Sequence, residues 1–263
     1  MLNPQPDDAT LSEIYGETYF IGSNEDKLRA HGDDLKRKTA KLQLQEINAY
    51  IHNRLGKTDR LRLLEVGCGL GNFLMEARNA GFDIQGIDVS ADAVKQANAI
   101  LGEPLARACF LEDAGFKPSS FDIIVLADVI EHVRDPKAFM ALARGLLKSG
   151  GIVFIAAPSL DSFTARLMGR HWMEFKLEHL YYFDRRTMEK LLVETGFEQI
   201  VMTPGRKVLS LSYIIAHFIQ FSVPVLTPIL KILGRITPGK MRRRHFEFVA
   251  SGINVLACAK AEN

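Results

Sequence analysis

The chain has 263 residues, 47% hydrophobic and 24% charged, which suits one sizeable domain with an insertion. A net charge of +2 carries no global nucleic-acid signature, so any basic partner surface must be local. Cys68, Cys109 and Cys258 form an odd, widely spaced set in apolar contexts, which excludes a zinc-type pair and reads as small buried hydrophobes. The opening MLNPQPDDATLSE lacks the basic flank and apolar run of a secretory signal, so a cytoplasmic location is expected.

Residues 1–33 read as loop, with Tyr15, Tyr19 and Phe20 as large apolar anchors. From Asp34 to Leu55, the apolar residues Ala40, Leu44, Ile47, Ile51 and Leu55 recur at three- and four-residue steps and predict an amphipathic helix. Its basic beginning, Lys36-Arg37-Lys38, reads as a solvated face. Leu61 to Asn72, LRLLEVGCGLGN, is a branched apolar run that stops at Gly67, Gly69 and Gly71, the pattern of a buried parallel strand turning sharply into a helix. Alternating glycines let a ligand lie against the main chain at a helix N-terminus. A dinucleotide fingerprint counted from Gly67 would need its third glycine at Asn72, and here it falls at Gly71. Glu65 would repel a pyrophosphate but can accompany a cation, which favours a cofactor without phosphates.

Further on, Phe73, Leu74, Ala77 and Ala80 make a helix face that Gly81 ends. The strand-like run Phe82 to Ile87 leads to Asp88, and Ser90 caps a helix carrying Val94 and Ala97. A short strand over Ala106 to Leu111 precedes Glu112-Asp113, and another covers Phe121 to Ala127. Asp135-Pro136 starts a helix, and Gly150-Gly151 turns into a strand over Ile152 to Ala156. Asp184 caps a helix that buries Met188, Leu191 and Leu192 and ends at Gly196. Strands are expected over Glu198 to Met202 and Ile253 to Ala259. This alternation of strand and helix puts the loop ends on one edge of a parallel sheet, where a site forms.

Val208 to Leu230 contains no Asp, Glu, Lys or Arg and is rich in Leu, Ile, Val and Phe. His217, Gln220, Pro224 and Pro228 interrupt it, which argues against a straight transmembrane helix. Arg206 and Lys207 precede it; Lys231, Arg235, Lys240, Arg242, Arg243 and Arg244 follow it. An apolar helical hairpin with basic edges fits an anionic membrane surface, a greasy substrate, or a cap or dimer contact packed on the core.

Glu65-Val66-Gly67-Cys68-Gly69-Leu70-Gly71 resembles motif I of the class I S-adenosylmethionine-dependent methyltransferases. Asp88, Phe121 to Ala127 with Asp128-Val129-Ile130-Glu131-His132, and Leu147-Lys148-Ser149-Gly150-Gly151 resemble later motifs of that family in the expected order. The resemblance implies a Rossmann-like α/β fold: a seven-stranded, mostly parallel sheet with an antiparallel last strand, helices on both faces, and a helical apolar insertion at about 205–245. Residues 57–263 would form this domain, and residues 1–56 an N-terminal segment and helix, in which Tyr15 to Phe20 resembles a lid over the cofactor.

It also implies S-adenosylmethionine as cofactor, S-adenosylhomocysteine as product, and a cofactor site of Glu65, Gly67, Cys68, Gly69, Gly71, Asp88, Val89, Asp113 and Asp128. Asp88 would take the ribose hydroxyls and Asp113 the adenine amino group, with Glu112 an equally acidic neighbour. Trp172 with Glu178 to Asp184 resembles a segment of small-substrate and glycan methyltransferases, and His132, His179 and Glu131 are the candidate catalytic residues. Asp128-x-x-Glu131-His132 resembles the metal-binding E-x-x-E-H segment of ubiquinone-pathway and small-RNA O-methyltransferases. A metal-free reaction is favoured, with Asp128, Glu131, His132 and His179 as the alternative metal ligands. The expected function is methyl transfer to an oxygen of a small-molecule, glycan, lipid-linked or quinone-type acceptor. An RNA methyltransferase and a non-catalytic cofactor-binding protein stand as alternatives, and no nucleic-acid partner is favoured.

Overall fold

In the computed structural model, residues 1–14, 26–55, 60–220, 223 and 226–260 are described. Two helices, α1 (Asp8–Ile14) and α2 (Asp26–Leu55), precede the alternating part of the chain. That part runs β1 (Arg62–Val66), α3 (Asn72–Asn79), β2 (Asp83–Asp88), α4 (Ala91–Leu101), β3 (Ala106–Ala108), β4 (Phe121–Ala127), α5 (Pro136–Leu146) and β5 (Leu147–Pro158). There follow α6 (Phe163–Met168), α7 (Arg185–Glu194), β6 (Phe197–Ser210), α8 (Leu211–Gln220), α9 (Leu226–Ile236), α10 (Gly239–Arg242) and β7 (His245–Ala259). The seven strands form one sheet in the order β3-β2-β1-β4-β5-β7-β6. Strands β1 to β5 pair in parallel, and β7 runs antiparallel to both β5 and β6. The expected fold class is the one observed.

The central strands are apolar on both sides because both sides are covered. Leu64, Ile124 and Val153 face Met140 of α5 and Met188 of α7, while their neighbours Leu63, Ile123 and Ile152 face Ile47 of α2 and Leu74 of α3. Local chemistry sets the helix starts as expected. The Ser90 hydroxyl accepts from the Ala93 N–H, Asp135 from the Lys137 and Ala138 N–H groups with Pro136 in the first turn, and Asp184 forms a reciprocal capping box with Thr187.

Five boundaries differ from expectation. Strand β5 begins at Leu147, which pairs with Phe121, so Gly150-Gly151 lie within it rather than before it. Residues 1–33 are not all loop: Asp7 accepts from the Thr10 N–H at the start of α1, and α2 begins at Asp26, upstream of the periodic stretch. The region of Tyr15, Tyr19, Phe20 and Pro224 lies outside the described residues. Strand β3 stops at Ala108, where the chain turns and the Cys109 N–H donates to the Asp88 carbonyl. Strands β6 and β7 are far longer than their apolar cores, because Arg206 to Ser210 pair with His245 to Val249 as a ribbon beyond the sheet. At its base the backbones meet so closely that a Cβ on Gly205 would lie 2.9 Å from the Gly252 carbonyl carbon, and one on Gly252 would lie 2.5 Å from the Ala157 oxygen. Polar residues and glycine there hide a strand from propensity. The helices α8 to α10 thus occupy 211–242, carried at the tip of the ribbon, rather than beginning at Val208.

Candidate active site

The C-terminal ends of β1, β2, β4 and β5 converge on one sheet edge. After β1, the Gly67 and Cys68 N–H groups both donate to the Ile87 carbonyl, and the Gly71 N–H donates to Cys68, closing a tight loop. Gly67, Gly69 and Gly71 all have positive φ, of 73°, 48° and 77°. At two of them space is also exhausted: a Cβ on Gly67 would lie 2.6 Å from Val129 Cγ2, and one on Gly71 would lie 3.0 Å from Ala97 Cβ. Asp88 holds the loop, its carboxylate accepting from the Gly69 N–H at 2.8 Å and the Ser90 N–H at 2.9 Å. Those two bonds use only part of its lone-pair capacity, so a diol can still be accepted.

Glu65 lies beneath the loop, buried, with Oε2 lacking a hydrogen-bond partner and the Leu74 N–H donating to the carboxyl group. Burial, and next the Asp88 charge, push the Glu65 pKa well above the ordinary carboxylate range; burial also raises Asp88 against its backbone N–H bonds. The Cys68 thiol is pushed up by burial and by both carboxylates, so it is an inert packing group against Gly86. Val89 is exposed at the end of β2, and the turn after β3 presents Asp113 and Glu112 together, both exposed.

The second half of the site begins where β4 ends. Asp128 has φ of 55°, a left-handed conformation uncommon outside glycine, and its N–H donates to the Ala156 carbonyl. Its carboxylate lies 3.3 Å from Lys207 Nζ of β6, deep in a cleft yet with 53% of the side chain open to water. Burial opposes the Asp128 charge, but the Lys207 ammonium outweighs it and holds this carboxyl below its usual range. Lys207 also faces Glu174, which accepts from the Ser251 hydroxyl at 2.7 Å.

Glu131, His132 and His179 form a separate group, their ligand-type atoms all within 4.8 Å of one another. Both Glu131 oxygens are buried without a hydrogen-bond partner, and burial, then Asp128, push its pKa well up. His132 Nδ1 lies 3.0 Å from the Glu178 carbonyl, an acceptor only, which favours the Nδ1–H tautomer, and its Nε2 lies 4.0 Å from Glu131 Oε1. The His179 ring packs edge-on against His132, donates to the Glu174 carbonyl, and has an unpartnered, buried Nδ1. Burial lowers both imidazoles to about 4, aided by His179 at His132 and by Lys176 at His179. At neutral pH the group therefore offers two neutral imidazoles beside a carboxyl whose pKa is raised.

Residues 39–201, more than half of the chain, match a family model described as a methyltransferase domain. The chain belongs to the class I S-adenosylmethionine-dependent methyltransferases. Among its relatives, a protein named ubiquinone biosynthesis O-methyltransferase from Caulobacter vibrioides is 34% identical over 107 residues, spanning 36% of this chain and 40% of that protein. One of Leptothrix cholodnii is 30% identical over 133 residues, spanning 47% of this chain and 56% of that protein. The chain thus matches about half the length of these relatives. A solved S-adenosylmethionine-dependent methyltransferase from Archaeoglobus fulgidus shares the fold, with a TM-score of 0.56 at 18% identity over 96% of this chain and all of that one.

In this methyltransferase the structure joins Glu65, the glycine loop and Asp88 on one side, and Glu131, His132 and His179 on the other. It separates Asp128 from the latter group: the expected fourth ligand of the metal alternative is engaged by Lys207 instead, because β6 runs past the end of β4. Sequence reasoning missed Lys207 as a site residue, reading it only as a flank of the apolar run, and missed Glu174. No local pattern marks either, since Lys207 lies 79 positions from its partner.

Proposed function

We propose that this chain transfers a methyl group from S-adenosylmethionine to an oxygen of a small-molecule, quinone-type, glycan or lipid-linked acceptor. The cofactor, when bound, supplies the electrophilic methyl. The residues fit such a group: Glu65 has a buried oxygen with no partner and suits a cationic amino acid, while Gly67, Gly69 and Gly71 all take the positive φ that lets the loop turn tightly at the start of α3. Cys68 packs beneath the loop, Asp88 is poised for the ribose, and Val89, Asp113 and Asp128 border the same edge.

The observation that carries the oxygen acceptor is the pair of neutral imidazoles, His179 buried and His132 half-buried. A hydroxyl must lose its proton as it attacks, and the lone pair of His179 Nδ1, buried and without a hydrogen-bond partner, is placed to take it, with His132 and Glu131 beside it. The two ubiquinone-pathway relatives support a quinone-type acceptor. Alignment of nucleophile and methyl supplies the rest, about 7–11 kcal/mol where positioning is good. The three-residue group favours one second reading: Glu131, His132 and His179 would hold a divalent metal that lowers the pKa of the acceptor hydroxyl. Acceptors of the greasy kind reside at a bilayer, so an anionic membrane surface facing residues 206–244, approached from the cytoplasmic side, belongs to the same reading.

Mass spectrometry of quinone, lipid and glycan extracts from cells with and without the gene tests the function. Loss of one methylated species, restored by the wild-type chain, is expected. A methyl lost from RNA alone would establish the nucleic-acid alternative, and cofactor binding with no methylated product anywhere would leave a non-catalytic binding protein.

A further inference from the structure

Helix α9 is built with its small side inward. Thr227 and Gly234 are buried, and a Cβ on Gly234 would lie 2.7 Å from Ile215 Cδ1 of α8, so this face packs on its neighbour. The opposite face carries Ile229, Ile232, Leu233 and Ile236, exposed by 53%, 59%, 39% and 72%. Steps of three, one and three residues align these four in one stripe. A helix that serves only a domain core turns such a stripe inward; an outward stripe marks a surface that something else covers.

The charge around it says what. From Val208 to Arg244 there is no Asp or Glu, while Lys231, Arg235, Lys240, Arg242, Arg243 and Arg244 are all exposed. At 100° per residue, Lys231 and Arg235 lie to one side of the aliphatic stripe. Lys240, Arg242 and Arg243 line a hollow with Ser212 of α8. A twofold contact with a second copy would set these cations against their own kind, with no acid in the segment to answer them. Aliphatic side chains bordered by cations match an anionic lipid bilayer, whose acyl boundary takes the former and whose phosphates take the latter.

We infer that α9 and α10 seat the chain on an anionic membrane surface, with Ile229, Ile232, Leu233 and Ile236 entering the interface and lipid phosphates held by the basic hollow. No helix among the described residues is long and apolar enough to cross a membrane, so the attachment is interfacial. The docked helices adjoin the candidate site: Phe218 of α8 packs with Trp172, and His217 senses the charges of Lys176, Glu174 and Lys207. A membrane-borne acceptor can therefore reach the cleft along α8. This inference deepens the membrane part of the proposed function and rests on it for the acceptor's class, while docking itself is independent of methyl transfer.

The test sediments the full chain with vesicles of phosphatidylcholine alone and of equal parts phosphatidylcholine and phosphatidylglycerol, and titrates S-adenosylmethionine into the same preparations. Wild type should bind the anionic vesicles far better, with the difference fading as salt shortens the screening length from about 10 Å at 0.1 M to about 3 Å at 1 M. Each cation at an anionic surface is worth roughly five-fold, so replacing Arg242, Arg243 and Arg244 with Gln should weaken anionic binding on the order of a hundred-fold and leave neutral vesicles unaffected. Ile232→Ser with Ile236→Ser should weaken binding to both kinds. Sedimentation no greater than a protein-only control, or an Ile double variant that sediments like wild type, overturns the inference. So does a dimer in solution that the Ile changes dissociate, since a second copy then covers the stripe. Cofactor titration separates the two claims: a chain that binds vesicles but no S-adenosylmethionine keeps the docking and loses the methyltransferase reading.

Discussion

The two halves of the proposed site are built on opposite plans. The cofactor half is assembled from neighbours: Glu65 to Asn72 supplies a whole loop, and Asp88, one strand over, ties it down through the Gly69 and Ser90 N–H groups. The acceptor half is assembled from strangers, with Glu131 and His132 from the β4 loop, Trp172 to His179 from the chain after β5, and Lys207 from β6. In the first, all of the loop conformation is dictated locally by glycine and one carboxylate. In the second, polar atoms of Glu131, His179 and Trp172 are buried without partners. The first half keeps a single such atom, Glu65 Oε2, and the second several, and each is shaped for something that answers them.

If that contrast is right, the largest effect comes from spoiling the local half. Gly69→Asp places a third carboxylate beside Glu65 and Asp88 in a left-handed position that disfavours a side chain. Loss of S-adenosylmethionine affinity of at least about a hundred-fold, near 3 kcal/mol, is expected by calorimetry, with an unchanged circular dichroism spectrum. Asp88→Ala should also weaken binding, by less. Wild-type affinity in both variants, or preference for NADH, would break the assignment of this edge to a phosphate-free cofactor.

Next in size is the acceptor half. His179→Ala removes the unpartnered Nδ1, and turnover on the acceptor should fall by about 10²–10⁴ if that atom takes the proton. His132→Ala should lose less, because its ring positions His179 through the edge-on contact and does not itself take the proton. Cofactor affinity should hold in both. Turnover within a few-fold of wild type in both variants would mean that positioning alone runs the reaction. Activity abolished by EDTA and restored by a divalent ion would select the metal reading of the same three residues.

The same contrast decided what could be read from the sequence. The cofactor half was legible because its determinants are contiguous: alternate glycines, the branched run before them, an acid at the end of the next strand. The helix caps Ser90, Asp135 and Asp184 were legible for the same reason. The ribbon of 205–210 with 245–249 was not, because its strands mix glycine, charged and apolar residues, run into the apolar stretch after Lys207, and gain their pairing from each other. Lys207 followed the ribbon out of view, and with it the true partner of Asp128. His132 and His179, 47 positions apart, were named from resemblance, and only the fold brings their rings to 4.7 Å.

A smaller effect sharpens the picture of Glu65. Its pKa is raised in the free chain, by burial first and the Asp88 charge second, and a bound cation would lower it again. Calorimetry in buffers of different ionisation enthalpy should therefore detect proton release on binding S-adenosylmethionine, with affinity rising as pH rises toward the free-chain value. Glu65→Gln should abolish the release, flatten the pH dependence and weaken binding about ten-fold, or about 1.4 kcal/mol. A carboxyl with a raised folded pKa costs stability as pH climbs above its unfolded value, so the Gln variant should be no less stable than wild type at neutral pH. Proton uptake instead of release would contradict a cationic partner for Glu65.

The smallest expected effect is at Lys207, and it asks how far the acceptor half depends on its long-range pieces. The Lys207–Asp128 pair is 40% and 53% exposed, so screening limits it to at most about 1 kcal/mol of stability, and Lys207→Met should shift the melting temperature only slightly. Its direction is nonetheless determined. Lys207 holds Asp128 below the ordinary carboxylate range, a contribution present above the unfolded pKa and lost as pH falls through the folded one. Removing the cation lets Asp128 return upward, so the midpoint of acid unfolding should move to higher pH, and Lys207→Arg should restore it. On activity, a residue that lines the acceptor cleft without taking the proton should change the acceptor KM by a few-fold and leave both kcat and cofactor affinity alone. A fall in kcat with KM unchanged would instead place Lys207 at the reacting atoms, and the acceptor half would then reach one strand further than the cluster of Glu131, His132 and His179.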